Sequence, residues 1–371
     1  MTEIIIGAGA SGLACAIRLK QNMPNDEVIL LERLDTLGKK ILATGNGRCN
    51  LSNEHAEHYK EVINFFNNIG LKTKSDSEGR IYPYSNQAAT VRDMLEKECI
   101  RLGVQIVTDC TVKCVDRDLI VSTDCGMFYA DSVIIAAGGK AQSSLGSNGS
   151  GYEILKNLGH RITPLSPALV QLVSSSKYPR QLKGQRVKGN MKILLDGECV
   201  KQEYGEILFT DYGLSGIVSM NLSEAVSKNF ECENPKKCHA VIDLANDFSE
   251  DELLEHINKF GSLEGILGEK VSSLLEKQAN GDKKKICKYA KNWQLIITGT
   301  KGYNFAQITS GGADLTEFNN FESKLIENLY ACGEILNRQF ECGGYNLNFA
   351  FYSGISVADE IKKKRTDNDK N

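Results

Sequence analysis

No Cys-x-x-Cys pair occurs anywhere in the 371 residues, although the chain carries twelve cysteines. That absence excludes a dithiol relay and the commonest zinc-ligand spacing. Cys110/Cys114, Cys232/Cys238 and Cys332/Cys342 have other separations and the five histidines are scattered, so no metal is expected. No run approaches the roughly 20 apolar residues that span a bilayer, and the short apolar start lacks the basic segment of a secretory signal. A cytoplasmic location without membrane attachment is expected, where the cysteines stay reduced and serve mostly as small buried apolar groups. The sequence holds no internal repeat, and its formal net charge of −3 says little about partners. At this length one hydrophobic core is not expected to organise the whole chain.

What is present begins at the first residues. Glu3-Ile4-Ile5-Ile6 runs into Gly7-Ala8-Gly9-Ala10-Ser11-Gly12, and Glu32 closes the next apolar run, Val28 to Leu31, twenty residues after Gly12. Gly7 suits the tight turn out of a strand, Gly9 a close backbone approach to a pyrophosphate, and Gly12 the packing of the following helix on the sheet. Glu32 is placed to accept hydrogen bonds from ribose hydroxyls.

Periodicity places a first helix at 13–22, helices at 57–69 and 87–102, a strand at 105–107, a meander over 111–129 and a buried strand at 131–137 ending in Gly138-Gly139. After Pro164 and Pro167 the pattern changes to strands at 168–173, 186–195 and 198–203, then helices at 213–229, 249–260 and 264–279. From Ala306 the glycine-rich character returns, with a buried strand at 328–332 ending Gly333-Glu334 and a terminal helix from near Leu347. The expected division is 1–165 and 305–365 as two parts of one nucleotide-binding domain, 166–304 as an insertion, and 366–371 as a charged tail.

A pyrophosphate clamp on the first strand, Ala136-Ala137-Gly138-Gly139 ending a later one, and a C-terminal return through Ala331-Cys332-Gly333-Glu334 form the layout of an FAD domain. There is no second GxGxxG, so a separate nicotinamide domain is not expected. NAD(P)H would visit a shared site as a transient electron donor, or the substrate itself would reduce the flavin.

The long segment Gly38-Lys39-Lys40-Ile41-Leu42-Ala43-Thr44-Gly45-Asn46-Gly47-Arg48-Cys49-Asn50-Leu51-Ser52-Asn53 resembles the GRCN loop of the BaiN/RdsA flavoproteins, also called aminoacetone oxidase-like. The similarity continues through Gly79 to Pro83, Gly205 to Gly216, Ala306 to Gly312, Glu322 to Leu325, Gly333-Glu334 and Cys342-Gly343-Gly344-Tyr345-Asn346-Leu347. It implies an α/β fold: a Rossmann-like FAD-binding domain of the two-dinucleotide-binding-domains flavoprotein type, interrupted by an inserted β-barrel-like and helical substrate region. The chain departs from the family at Ala141-Gln142-Ser143, where a Tyr-Pro pair is usual, at Phe349 and Phe351 in place of tryptophans, and at Asn337 in place of Asp.

The expected cofactor contacts are Gly7, Gly9, Ala10, Ser11, Gly12, Glu32, Arg33, Lys40, Gly45, Gly47, Arg48, Cys49, Asn50, Val112, Ala137, Gly138, Gly139, Gly333, Glu334, Gly344, Asn346 and Leu347. Lys40 and Arg48 supply positive charge, and Gly343-Gly344 aims a helix N-terminus at negative charge. The resemblance implies reduction of a conjugated C=C bond: uridine of 23S ribosomal RNA, or an enone of a bile-acid intermediate as a small-molecule substrate. An amine oxidase using dioxygen is the third alternative. Cys342 and Cys49 are candidate proton donors, with Tyr345 and Tyr212 as phenolic alternatives. Lys177, Arg180, Lys183, Arg186, Lys188 and Lys192 follow one another with no acid among them, and five lysines at 283–291 follow Asp282. Lys183, Arg186 and Lys188 are therefore candidate RNA contacts, and ribosomal RNA is the leading substrate.

Overall fold

The structure, a computed structural model, describes residues 1–368. The chain divides into two units, residues 1–165 with 308–371 and residues 166–307. No helix among the described residues is long and apolar enough to cross a membrane. Residues 369–371 of the expected charged tail lie outside the described residues, and Thr366 to Asn368 continue the terminal helix instead.

In the first unit a seven-stranded sheet runs in the order Phe318–Asn319, Glu322–Ser323, Leu329–Ala331, Ser132–Ile135, Thr2–Ile6, Glu27–Leu31, Gln105–Val107. Its last five strands are parallel, and Ile4, Ile5, Val133, Ile134, Leu30 and Leu329 are buried, as strands covered on both faces require. The first strand lies between one strand that follows it directly and another a hundred residues later, so the order reverses beside it. Such a reversal opens a crevice at the strands' carboxyl ends.

The helix Ala10–Asn22 buries Leu13, Ala14, Ile17 and Leu19. The terminal helix Tyr345–Asn368 crosses it at backbone distance: a Cβ on Gly354 would lie 2.1 Å from the Ser11 carbonyl oxygen. Arg365 on the same helix reaches Glu3 and Asp26, and the Glu3 side chain is fully buried. Burial pushes the Glu3 carboxyl up and the Arg365 hydrogen bond opposes it.

The second unit is a closed antiparallel barrel in the order Leu172–Ser174, Gly213–Ser215, Glu198–Phe209, Arg186–Leu195, Cys238–Asp243, Trp293–Thr300. Alternation turns Met191, Ile193, Phe209, Ala240, Ile242, Trp293 and Leu295 inward. Helices Ile217–Phe230, Glu250–Phe260, Glu264–Leu267, Glu269–Gln278 and Lys283–Lys291 complete it. The expected helix at 213–229 begins instead as a barrel strand. Gly216, with φ 90°, turns the chain where a Cβ would strike the Glu206 carbonyl oxygen at 2.7 Å. Gly268, with φ 76°, breaks the expected 264–279 helix in two. The strands 238–243 and 293–300 and the helix 283–291 were not anticipated.

Candidate active site

The expected cofactor residues all fall in the first unit, and specific contacts gather four segments around the crevice. The first is the clamp. Gly7 has φ 105°, and a Cβ there would lie 2.6 Å from the Ala136 carbonyl oxygen; one on Gly12 would lie 1.9 Å from that of Gly7. A Cβ on Gly9 meets nothing within 4 Å. Two glycines thus serve packing and the third leaves open space in front of the helix at Ala10 and Ser11, which has no side-chain cap. Glu32 accepts hydrogen bonds from the Ala8 and Leu34 N–H groups, both at 2.9 Å. Those bonds fix the carboxylate at the end of its strand. Arg33 donates to the Gly146 carbonyl at 3.3 Å. The Cys110 N–H donates to the Glu32 carbonyl at 2.9 Å, which brings Val112, at the start of the strand Val112–Val115, two residues from that contact.

The second segment is the 38–53 loop, joined to the clamp by the Gly38 N–H donating to the Ala8 carbonyl at 2.8 Å. Gly45, Asn46, Gly47 and Cys49 all have positive φ, which turns the backbone tightly, and the Arg48 and Cys49 N–H groups close the turn on the Gly45 and Thr44 carbonyls. Arg48 lies 4.8 Å from the Tyr82 ring centroid. The Asn50 Oδ1 atom is buried without a hydrogen-bond partner.

Third comes the pair of strand ends. Lys40 Nζ lies 2.8 Å from Glu334 Oε2, while Glu334 Oε1 accepts the Thr309 N–H at 3.0 Å. Thr309 Oγ1 in turn accepts from the Lys140 and Ala141 N–H groups at 2.7 and 3.1 Å. A Cβ on Gly139 would sit 2.4 Å from Glu334 and 2.6 Å from Thr309. Thr309 thus pins the Ala137-Gly138-Gly139 end to Glu334. It was not among the expected site residues, although it lies inside the quoted 306–312 block. Ser11 Oγ donates to the Cys332 carbonyl at 3.4 Å, and the Gly333 N–H donates to Ser353 Oγ at 2.9 Å, tying this end to the clamp and the terminal helix.

The fourth segment is the loop into the terminal helix. A Cβ on Gly344 would lie 2.4 Å from the Ser52 carbonyl and 2.7 Å from Asn50 Oδ1, so the GRCN loop and the helix N-terminus, with Leu347 in its first turn, are in contact. The Asn346 side chain is committed locally: it accepts from the Phe340 N–H at 3.0 Å and donates to the Phe340 and Glu341 carbonyls. These bonds shape the 340–346 turn that carries Cys342.

The two candidate thiols part company. Cys49 has no exposed surface, and burial pushes its thiol up to about 12. It belongs to the buried core that includes Leu13, Ile41 and Leu51, and its sulfur offers no surface to a substrate. Cys342 is partly exposed. The departures Phe349 and Phe351 are packing residues: Phe351 meets Phe66 at 4.8 Å, and Phe349 lies 5.7 Å from Phe340. Asn337 accepts from Gln339 at 3.1 Å.

In the inserted unit, the run from Lys177 to Lys192 is not free of acids in space. Lys183 pairs with Asp211 at 2.6 Å and Arg186 with Glu206. Lys188 lies opposite Glu206 in strand register. The hydrogen bond from Lys183 holds the Asp211 carboxyl below its ordinary value. Lys291 is likewise paired, with Asp243 at 2.7 Å. All twelve cysteines are free, seven of them buried. Among the described residues only Cys110, Asp124 and Cys125 bring three possible metal ligands within 4.8 Å, and two of these are exposed.

The clamp and the loop fit FAD. The open space at Gly9 and two helix N-termini suit the pyrophosphate at the centre of that molecule, and the unpartnered buried Asn50 oxygen suits an N–H donor such as the flavin ring carries. Fold and site together define an oxidoreductase of the FAD-dependent type. The model of the HI0933-like protein Rossmann domain matches residues 1–60 and 58–360, and the chain belongs to that family, the BaiN/RdsA group to which its motifs pointed. It is 35% identical to a 3-dehydro-bile acid delta(4,6)-reductase of Clostridium scindens over 94% of this chain and 96% of that protein. It is 25% identical to a ribosomal RNA dihydrouridine synthase of Haemophilus influenzae and 26% to one of Escherichia coli, each over at least 96% of both chains. Among solved structures, a 3-ketosteroid delta1-dehydrogenase of Sterolibacterium denitrificans aligns with TM-score 0.55 and 10% identity, covering 98% of this chain and all of that one. A flavocytochrome c3 fumarate reductase aligns with TM-score 0.51 and 14% identity, covering 98% and 78%. These two likenesses establish the fold alone.

Proposed function

We propose that the chain is an NAD(P)H-driven reductase of a C=C bond conjugated to a carbonyl, acting on uridine in ribosomal RNA. The observation that carries the reaction class is that full-length relatives with different substrates are both named for saturating such a bond: the uracil 5,6 bond and a steroid dienone pose one chemical problem. The clamp would hold FAD, which when bound would supply hydride-transfer chemistry, with NAD(P)H as the transient electron donor. The chain's own part is to orient the substrate and to protonate the carbon α to the carbonyl.

We assign the proton to Cys342, which the Asn346-braced turn holds beside the helix N-terminus at Gly344, while Cys49 is enclosed. Lys40, Glu334, Thr309, Gly9 and Asn50 are assigned to FAD. RNA is favoured over a small enone by the cationic strand and turn of the inserted barrel. The ion pairs found there are exposed and each contributes about 0–1 kcal/mol, so phosphates can replace the carboxylates at little cost. The 35% relative favours the second reading, a small 3-oxo-4-ene or dienone.

Mass-spectrometric mapping of ribosomal RNA from a deletion strain tests the first reading. It predicts the loss of dihydrouridine at a defined site and its return with the purified enzyme and NADPH. Unchanged RNA, together with turnover of a steroid dienone, would replace it with the second.

A further inference from the structure

One end of the inserted barrel gathers side chains from three of its segments. It is built from the Thr210–Gly213 turn, the short helix Tyr178–Gln181 and the loop that follows Trp293–Thr300. Lys301 Nζ lies 4.4 Å from the Tyr212 ring centroid and 4.3 Å from that of Phe305. Phe305 is 51% exposed.

The supports are stiff. The Tyr212 carbonyl accepts the Ser174 N–H at 2.9 Å, and Thr210 bonds across its turn to Gly213 through backbone and hydroxyl. The Lys301 N–H donates to the Gln171 carbonyl at 3.0 Å, and the Phe305 N–H closes a turn on Gly302. Arg180 reaches the Asp211 carbonyl and Lys183 its carboxylate. Lys177, Arg180 and Lys183 are exposed. With Lys301 they place four cations on the segments that carry or adjoin the two rings, beside the carboxylate of Asp211.

We propose that this barrel end is a binding surface for single-stranded RNA, on which an unstacked base lies against Phe305 or Tyr212 while Arg180 and Lys183 take phosphates. An exposed ring beside a half-buried one, on braced turns flanked by cations, is what sequence-tolerant strand binding requires, because every base has a π face and every nucleotide a charge. A small apolar substrate would gain from the rings but nothing from the surrounding charge. A duplex would engage the cations and leave the rings idle. The surface extends the RNA reading above and rests on it.

The test uses the FAD-loaded full-length enzyme and a fluorescent single-stranded uridine-rich 12-mer, titrated at several salt concentrations, with Phe305→Leu, Lys301→Gln and Arg180→Gln as variants. Phe305→Leu is expected to weaken binding about tenfold or more. Arg180→Gln should lower the slope of log affinity against log salt by about 0.7. Flavin absorbance and its bleaching by NADPH should be unchanged in all three, which separates binding from folding. Parent-like binding by all three variants would overturn the surface, as would equal parental affinity for a duplex of the same sequence or full displacement of the 12-mer by polyglutamate. If the parent makes dihydrouridine and the variants do so as efficiently, the surface is wrong and the substrate reading stands. If the parent neither binds the 12-mer nor reduces uridine, both fall.

Discussion

The two units are held together by opposite means. In the FAD unit, backbone meets backbone: Gly7 on Ala136, Gly12 on Gly7 and Gly354 on Ser11 leave no room for a single added carbon. In the inserted barrel, large side chains fill an interior, with Trp293 lying 5.5 Å from Phe209 and its indole N–H donating to Gln278. The first scheme fixes the positions of N–H groups and strand ends, which a cofactor needs. The second fixes a shell and leaves its surface free to carry charge. Substitutions should therefore act on fold or on binding in a pattern that depends on the unit.

The largest effect is expected at Gly12. Its Ala variant presses a Cβ against backbone with no flexible end to yield, and should destabilise the FAD unit by roughly 4 kcal/mol or more, an exceptional value for one methyl group. Denaturant titration of the apoprotein reads it, and a loss under about 1 kcal/mol would show that the crossing can relax. Next is Gly9→Val. Because the space in front of Gly9 is empty of protein, this variant should keep the parent's apoprotein stability yet fail to retain FAD. A yellow Gly9→Val protein would end the assignment of that space to the pyrophosphate.

Cys342→Ala should lower uridine turnover by about 10² to 10⁴, the usual worth of a positioned acid, while NADPH still bleaches the flavin at the parental rate in stopped flow. Cys49→Ala should leave the rate of the chemical step unaltered and reduce stability by a methyl-sized amount. If the two cysteines behave alike, neither is the donor. Smallest is the triple change of Lys183, Arg186 and Lys188 to glutamine. It should move stability by no more than about 1 kcal/mol per exposed pair and lower the salt slope of RNA binding by about two. A slope unchanged within error would mean that Asp211 and Glu206 already neutralise that strand.

The contrast also explains what could be read from the chain. The clamp, the GRCN loop and the glycine-ended strands are local: each needs only its own residues, and each lies where the spacing placed it. What escaped depends on pairing across distance. Thr309 binds Lys140 and Ala141 from 168 or more positions away. The acids facing the basic run come from the antiparallel neighbour of Arg186–Leu195 and the turn beyond it, and only the register shows that Glu206 is opposite Lys188. The helix 283–291 was hidden for a different reason. Only Ile286, Cys287 and Ala290 of its nine residues are buried, too thin an apolar stripe to stand out among lysines.

The crossing of Gly354 over Ser11 has a consequence for how the enzyme comes into being. The first strand and helix leave the ribosome early, but the strand Leu329–Ala331 of the same sheet and the helix that lies on Ser11 follow more than three hundred residues later. The barrel, contiguous from Ser166 to Gln307, can finish folding in between. A nascent chain thus displays the pyrophosphate turn through more than three hundred residues of synthesis without the elements that close around it, and flavin retention is expected only after the helix beginning at Tyr345 has been made.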